Sequence, residues 1–434
     1  MERMTKHLIV ISFDGLSTLD FEYISSLSNF KEFIKDSSYC KKVYSVYPSL
    51  TYPAHATIVT GKYPKNHGII NNTLLQPGRQ SPDWYWQRKY IKGETFYDTA
   101  INNGMKVAAL LWPVTAKSRI QYNLPEIFAN RPWQNQIMVS ILNGSPLYQI
   151  KLNNMFGGLR DGIKQPNLDN FTHQSLLYTI KTKKPDITLV HYTDLDTIRH
   201  NYGFYSKEAK EALIRHDSRL GDIVETLVKN NMYDQSTIIV LGDHSSLDED
   251  TVINLNVLLK DNDYIKVDDS GNIIDYKAIV KNCDGSAYLY VKDRSNQKLV
   301  SEIKDLINNF NKEHECIQAI FTSNEAKDFG ADPNCSLMLE ANKGYYFLDN
   351  LNGEAIKKIK PHESGSEHDI TSSTHGYSPF KENYTTVFMA KGCGIKKGTV
   401  IEEMNLVDEA PTIAKLLGFK LQDIDGRIIE ELLD

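Results

Sequence analysis

The sequence predicts an α/β protein: a doubly wound, mostly parallel sheet carrying a smaller α+β cap insertion. Residues 8–13 form a continuous apolar run without polar alternation, the pattern of a strand buried on both faces. Residues 187–192 and 236–242 read as further strands, and each of the three gives way at its carboxyl end to acids or histidines. Between the last two, apolar residues recur at three- and four-residue steps from Ala209 to Val228, marking a long amphipathic helix over 207–230. Strand, polar residues, helix, strand, polar residues is the βαβ rhythm of such a sheet.

Taken in order, the strand 8–13 ends in Asp14-Gly15. An acid closing a buried strand has two readings, a turn cap or a site residue. A turn at Pro48-Ser49 then leads into Thr51, placed where a helix N-cap belongs, with Pro53 in the first turn and Gly61 closing a short apolar run. Exposed N–H groups and the helix dipole favour an anion there. Residues 93–103 read as a helix stopped by Gly104, and 106–112 as a strand. Residues 116–170 are weakly patterned and predict no element.

A helix over 175–182 precedes the strand 187–192, which runs into Asp194, Asp196 and His200. Asp196 and His200 are four apart, so a single helical turn puts both on one face. His216 lies near the apolar face of the long helix and reads as a packed histidine. The strand 236–242 ends in Asp243-His244. From about Thr251 the composition shifts toward Asn, Asp and Lys, with strands expected at 286–291, 336–340 and 344–348 and a helix at 299–310. The core resumes at His375, followed by a strand at 385–390 and a helix at 408–417. The organisation expected is a core over 1–250, a cap over 251–370 and completion of the core over 371–434.

At 434 residues the chain exceeds one hydrophobic core. Its 41% apolar and 24% charged content is that of a soluble globular protein, and a net charge of -6 without a basic block argues against long nucleic acid as a partner. The N-terminal apolar run is too short for a signal peptide and no stretch approaches the ~20 residues of a membrane span, so a cytoplasmic protein without a membrane partner is expected. Five scattered cysteines without C-x-x-C spacing indicate neither a disulfide framework nor a zinc knuckle.

Asp14, Thr51, Asp196, His200, Asp243, His244 and His375 all fall at predicted strand ends or turns. Three carboxylates, three imidazoles and a hydroxyl suffice for two divalent ions, and mixed N and O ligands suit zinc, with manganese as the alternative. Two such ions balance three aspartates and a Thr51 alkoxide, and a metal lowers the pKa of a bound hydroxyl. Thr51 is therefore expected as a nucleophile toward phosphorus, with water then hydrolysing the phospho-threonine. Asn72 is either a donor to a phosphoryl oxygen or a plain turn residue.

These residues resemble the alkaline phosphatase superfamily, and within it the nucleotide pyrophosphatase/phosphodiesterase (type I phosphodiesterase) family. The resemblance rests on Ile11-Ser-Phe-Asp14-Gly15, Pro48-Ser-Leu-Thr51-Tyr-Pro-Ala-His55, His67-Gly-Ile-Ile-Asn71-Asn72, Trp112-Pro113, Asp196 with His200, Gly242-Asp243-His244 and His375-Gly-Tyr. It implies an alkaline-phosphatase-like fold, one metal held by Asp196, His200 and His375, and the other by Asp14, Thr51, Asp243 and His244. It implies too that Asn72 contacts the phosphoryl group, that residues between His244 and His375 form a cap, and that Tyr52, directly after the nucleophile, offers a platform for a nucleobase. His368 is a second candidate for the late histidine; His375 is preferred because Gly376 follows it.

Two departures bear on substrate preference: Ser245 where relatives carry glycine after the histidine, and Arg199 where they carry glycine before His200. A sulfatase would need cysteine at Thr51 and arginine at His55. The function expected is cleavage of phosphodiester or pyrophosphate bonds in small phosphoesters such as nucleotides. The nearest alternative is a phosphomonoesterase or phosphonate hydrolase on the same metals, for which Arg199 offers the extra cation. A remoter alternative is a metal-dependent binding protein without turnover.

Overall fold

The computed structural model describes residues 2–79, 81–360 and 370–434. Six strands come in chain order before the cap is complete: β1 (His7–Phe13), β2 (Ser38–Tyr44), β3 (Val107–Leu110), β4 (Tyr122–Leu124), β5 (Ile187–Tyr192) and β6 (Ser236–Leu241). With the late strand Thr386–Gly392 and two short strands beside β2, they form a nine-stranded sheet among the described residues. β1 lies at its centre, parallel to β5 and β6, with Val10 opposite Leu189 on one side and Ile239 on the other. β3 and β4 continue the parallel order beyond β5. The strand Thr386–Gly392 is antiparallel to both β6 and β2, so the sheet is mixed only on that side.

Both faces of β1 are covered, which is why its sequence shows no alternation. Leu8 and Val10 pack on one face with Ala54 and Ile58 of the helix Thr51–Thr60. Ile9, Ile11 and Phe13 pack on the other with Leu213, Leu220 and Ile223 of the helix Lys207–Lys229. His216 on that helix is buried against Phe13, ring centroids 4.2 Å apart, and takes no part in a ligand cluster among the described residues.

Three expectations are adjusted. Leu50, extended in backbone, is the residue whose carbonyl accepts the first helical bond, from Ala54 N at 2.9 Å, so Thr51 is the first helical residue and not the cap. The helix expected at 93–103 begins only at Phe96, because the Thr95 side chain caps it through Asp98 N. The segment 116–170, without predicted elements, holds β4 and the helices Gln136–Asn143 and Pro146–Phe156. These helices bury few side chains, so they leave little apolar period to read.

The cap region builds an antiparallel sheet in the spatial order Ala278–Cys283, Ser286–Val291, Leu337–Ala341, Ile317–Thr322, backed by the helix Gln297–His314. Its apolar cluster takes in Tyr377 and Tyr384, so cap packing reaches past residue 370. His368 lies outside the described residues. Among the described residues, no helix is long and apolar enough to cross a membrane.

Candidate metal centre and active site

The carboxyl ends of β1, β5 and β6 lie side by side, and each delivers a carboxylate to one spot. Asp14 follows β1 directly. After β5 the chain turns into the helix Asp194–Tyr202, where Asp196 and His200 occupy one face. After β6, Gly242 precedes Asp243 and His244; a side chain at Gly242 would meet Leu16 O and Thr386 Oγ1 at 2.2 Å, so only glycine lets the strand leave the sheet so tightly. His375 arrives from the far end of the chain. Its neighbour Gly376 has φ +82° and lies where a Cβ would sit 1.8 Å from Cys283 O, which docks this segment on the end of the cap strand Ala278–Cys283 and the turn at Asp284 and Gly285.

The residues assemble into two groups, Asp14 with Asp243 and His244, and Asp196 with His200 and His375, each with ligand atoms within 4.8 Å of one another. His244 Nε2 lies 3.3 Å from Asp14 Oδ1 and 3.2 Å from Asp243 Oδ2. His200 Nε2 lies 3.2 Å from Asp196 Oδ2, and His375 Nε2 3.9 Å from Asp196 Oδ1. The groups adjoin through the stacked rings of His244 and His375, centroids 3.9 Å apart. Thr51 Oγ1 stands 3.3 Å from His244 Nε2.

Electrostatics fits this donor set to cations. Burial, then the nearby Asp243 and Asp196 carboxylates, hold Asp14 well above the ordinary carboxylate range, and burial pushes Asp243 up to about 6. Burial draws the His244 imidazole down to about 4. For Asp196, burial opposes ionisation but the His200, His375 and His244 imidazoles outweigh it and keep its carboxyl low. Burial likewise opposes protonation of His200, yet the Asp196 charge lifts it to about 10. Asp14 Oδ1, Asp196 Oδ1 and Asp243 Oδ2 are buried without a hydrogen-bond partner among the described residues. Crowded carboxylates with orphaned, converging oxygens are the donor set that divalent ions satisfy.

Asn72 Oδ1 accepts from Tyr52 N at 2.9 Å, which orients the side chain beside Thr51, on the wall of the adjoining cavity. Tyr52, expected as a platform for a base, has no exposed surface: its hydroxyl donates to Glu126 Oε1 at 3.0 Å and its ring meets Trp84 edge to face. Arg199 is also committed elsewhere. It is buried, with Nη1 donating to Gly15 O and Nη2 to Asp20 Oδ1, both at 2.6 Å, and its guanidinium stacks on Phe204. It braces the turn after Asp14 and is not among the residues that line the adjoining cavity. Ser245 donates to Ser17 Oγ at 2.9 Å, a second tie to the same turn.

Two residues to which the sequence assigned no role in this site complete it. His55, one turn below Thr51, holds Thr51 O through Nδ1 at 2.8 Å and meets Ser12 Oγ through Nε2 at 3.0 Å. His191, inside β5, bridges Asp14 Oδ2 at 3.0 Å and Glu126 Oε2 at 3.1 Å. A histidine facing inward from a fully buried strand was the available signal for the second. The groups open into a cavity of about 650 Å³ bounded by Thr51, Asn72, Trp84, Lys164, Tyr202 and the cap residue Asp284.

A mostly parallel sheet with aspartates and histidines gathered at its carboxyl edge defines the alkaline-phosphatase-like class of α/β proteins. The chain belongs to the Type I phosphodiesterase / nucleotide pyrophosphatase family, whose model matches residues 8–378. Venom phosphodiesterase 2 of Crotalus adamanteus is 28% identical over 249 residues, covering 55% of this chain and 26% of that protein. The bis(5'-adenosyl)-triphosphatase ENPP4 of Pongo abelii is 22% identical over 96% of this chain and 79% of its own. The match thus spans about a quarter of the length of the venom relatives and most of ENPP4. Among solved structures, murine ectonucleotide pyrophosphatase/phosphodiesterase 5 superposes with a TM-score of 0.69 at 18% identity, over 99% of this chain and 100% of that one. An inactive variant of that murine protein, in complex with AMP, matches to the same extent.

Proposed function

We propose that this protein hydrolyses phosphodiester or pyrophosphate bonds of small nucleotides or related metabolites through a covalent Thr51 intermediate. The observation that carries the reading is the pair of three-residue groups flanking a Thr51 hydroxyl at the sheet's carboxyl edge. Two divalent ions, zinc or manganese, fit these groups and when bound supply Lewis-acid stabilisation of the attacking and leaving oxygens. Asp14, Asp243 and His244 hold one of them, with Thr51 as a further ligand; Asp196, His200 and His375 hold the other.

The chain's own residues do the rest. As first residue of its helix, Thr51 spends no side-chain oxygen on capping, and its hydroxyl stays directed at the cavity. His55 fixes the Thr51 backbone from below. Thr51 Oγ1 forms a bond to phosphorus as the leaving alcohol or phosphate departs; water then breaks that bond and regenerates the hydroxyl. The Asn72 amide donates to a non-bridging phosphoryl oxygen, in oxyanion-hole fashion. Tyr52 keeps Asn72 in place through its backbone N–H. Names of relatives that mention bis(5'-adenosyl)-triphosphate and AMP favour a nucleotide as substrate.

The phosphomonoesterase reading loses its cation, because Arg199 is bound to Asp20 and Gly15 O. The one lysine or arginine among the described cavity residues, Lys164, is paired with Asp161 at 2.9 Å. Metal-reconstituted turnover of a chromogenic diester should therefore exceed that of the matching monoester. Thr51→Ala should lower diester turnover by about 10³-fold or more while retaining metal; wild-type activity in that variant rules out the covalent route. We retain a cytoplasmic setting in this proposal on the free thiols, four of the five buried, which cell fractionation tests.

A further inference from the structure

Residues 132–150 contain no charged side chain, yet all of them except the buried Tyr148 and Gln149 reach the surface. The helix Gln136–Asn143 buries none of its residues, and Ile137, Met138 and Leu142 are exposed on one side of it. Trp133 before it is 80% exposed, and Leu147 on the next helix, Pro146–Phe156, is 84% exposed, with Ile150 on the same face. Trp133, Met138 and Leu142 border one groove, and soluble monomers rarely leave so many large apolar side chains uncovered within one short stretch, which marks an interaction surface.

Its surroundings say what covers it. In a protein of net charge -6, the stretch from Ile127 to Leu168 carries Arg131, Lys151, Arg160 and Lys164 against Asp161 alone. Arg131 is paired with Asp83 and Lys164 with Asp161, whereas Lys151 and Arg160 have no carboxylate partner among the described residues, Arg160 donating to Asn153 Oδ1 with its guanidinium 4.4 Å from the Phe171 ring. Lys151 is one helical turn from Leu147, so charge and apolar surface share a face. A two-fold dimer through this patch would set the same cations against each other. An anionic lipid surface meets both features: apolar side chains enter the headgroup–acyl boundary, a tryptophan suits that boundary, and lysine and arginine meet lipid phosphates.

We propose that the Trp133–Ile150 hairpin docks this protein peripherally on an anionic lipid surface. The expectation of no membrane partner rested on the lack of a span; lying on a bilayer is a different mode of contact. Docking also sets the catalytic cavity near the bilayer, because Trp84 borders both the groove beneath this hairpin and the cavity.

The experiment is co-sedimentation of the full chain with vesicles of phosphatidylcholine alone and of phosphatidylcholine mixed with phosphatidylglycerol. Binding is expected to the mixed vesicles, weakened by salt, and about tenfold or more weaker in Trp133→Ser/Leu147→Ser and in Lys151→Glu/Arg160→Glu. Diester turnover in solution should stay unchanged in both variants, which reports that they fold. Trp133→Phe should remove the blue shift of tryptophan fluorescence on adding vesicles. Absence of binding to either vesicle, or binding that neither variant alters, overturns the proposal. So does a dimer by light scattering that the same substitutions dissociate, since the face would then be an interface between copies of this chain.

Discussion

Asp14 shows how much of the site depends on one contact. A carboxylate has two oxygens, and a metal ligand works best when the second is held. Here His191 holds Asp14 Oδ2, and Glu126 holds the other side of the His191 ring. Burial opposes a charge on His191, but these two carboxylates prevail and keep its pKa well above the usual value. His191→Phe keeps the ring volume and removes both contacts. Its affinity for the divalent ion, measured by equilibrium dialysis on folded protein, should fall about 10- to 100-fold, with turnover partly recovered at high metal concentration. Unaltered affinity would show that Asp14 needs no such support. The positions of Asp14, Asp243 and His244 were legible because an acid after a both-faces-buried strand is physically unusual. His191 escaped notice because its neighbours in β5 read as uninterrupted strand and its partners lie on distant segments. Arg199 was misread for a related reason: a sequence shows a cation but not the Asp20 carboxylate and Gly15 carbonyl already bound to it.

The helix Thr51–Thr60 must hold its first residue still, and His67 anchors it from the side. His67 Nε2 donates to Thr57 Oγ1 at 3.0 Å while Nδ1 accepts from Ile69 N at 3.0 Å. Thr57 Oγ1 itself donates to Pro53 O, so it can only accept from the ring. Only the neutral Nε2–H form satisfies both contacts. Burial accordingly draws the His67 pKa down to about 3 from an unfolded value near 6.5. Below pH 6.5 the unfolded chain binds a proton that the folded chain refuses, so this contribution to stability is full above 6.5 and is lost as the pH falls toward 3. Denaturant titrations of wild type and His67→Gln should therefore converge on acidification, with a relative slope of up to about 1.4 kcal/mol per pH unit in that window. A constant difference from pH 7 to pH 4 would contradict the neutral anchor. Elements of this kind, paired to the sheet or packed on it, were readable from apolar period. The helices Gln136–Asn143 and Pro146–Phe156 were not, because much of their apolar surface faces outward.

Across the whole molecule, the ligand groups draw on residues separated by most of the chain, from Asp14 to His375. Between them lie both sheet faces and the cap, which is fastened through Asn71 Nδ2 to Asn282 O at 2.7 Å and through Ser286 Oγ to Gly376 O at 2.7 Å. Two divalent ions bound as proposed to the folded chain alone would couple the core, the cap turn and the late segment, and would relieve the mutual repulsion of Asp14, Asp196 and Asp243. At metal concentrations about 1,000 times each dissociation constant, each site contributes about 4 kcal/mol. For a chain of 434 residues this corresponds to a Tm shift of about 5–10 °C. Calorimetry in the presence of a chelator should show a fall of that size, restored by zinc or manganese, and smaller in Asp243→Asn, where one group is already impaired. Asp243→Asn also removes one of three crowded charges, so its metal-free form should melt no lower than metal-free wild type. If chelator leaves the wild-type Tm in place, or if the metal-free Asp243→Asn protein melts far below metal-free wild type, then Asp243 serves the fold by its hydrogen bond from Gly15 N and the two groups do not hold ions in the native state.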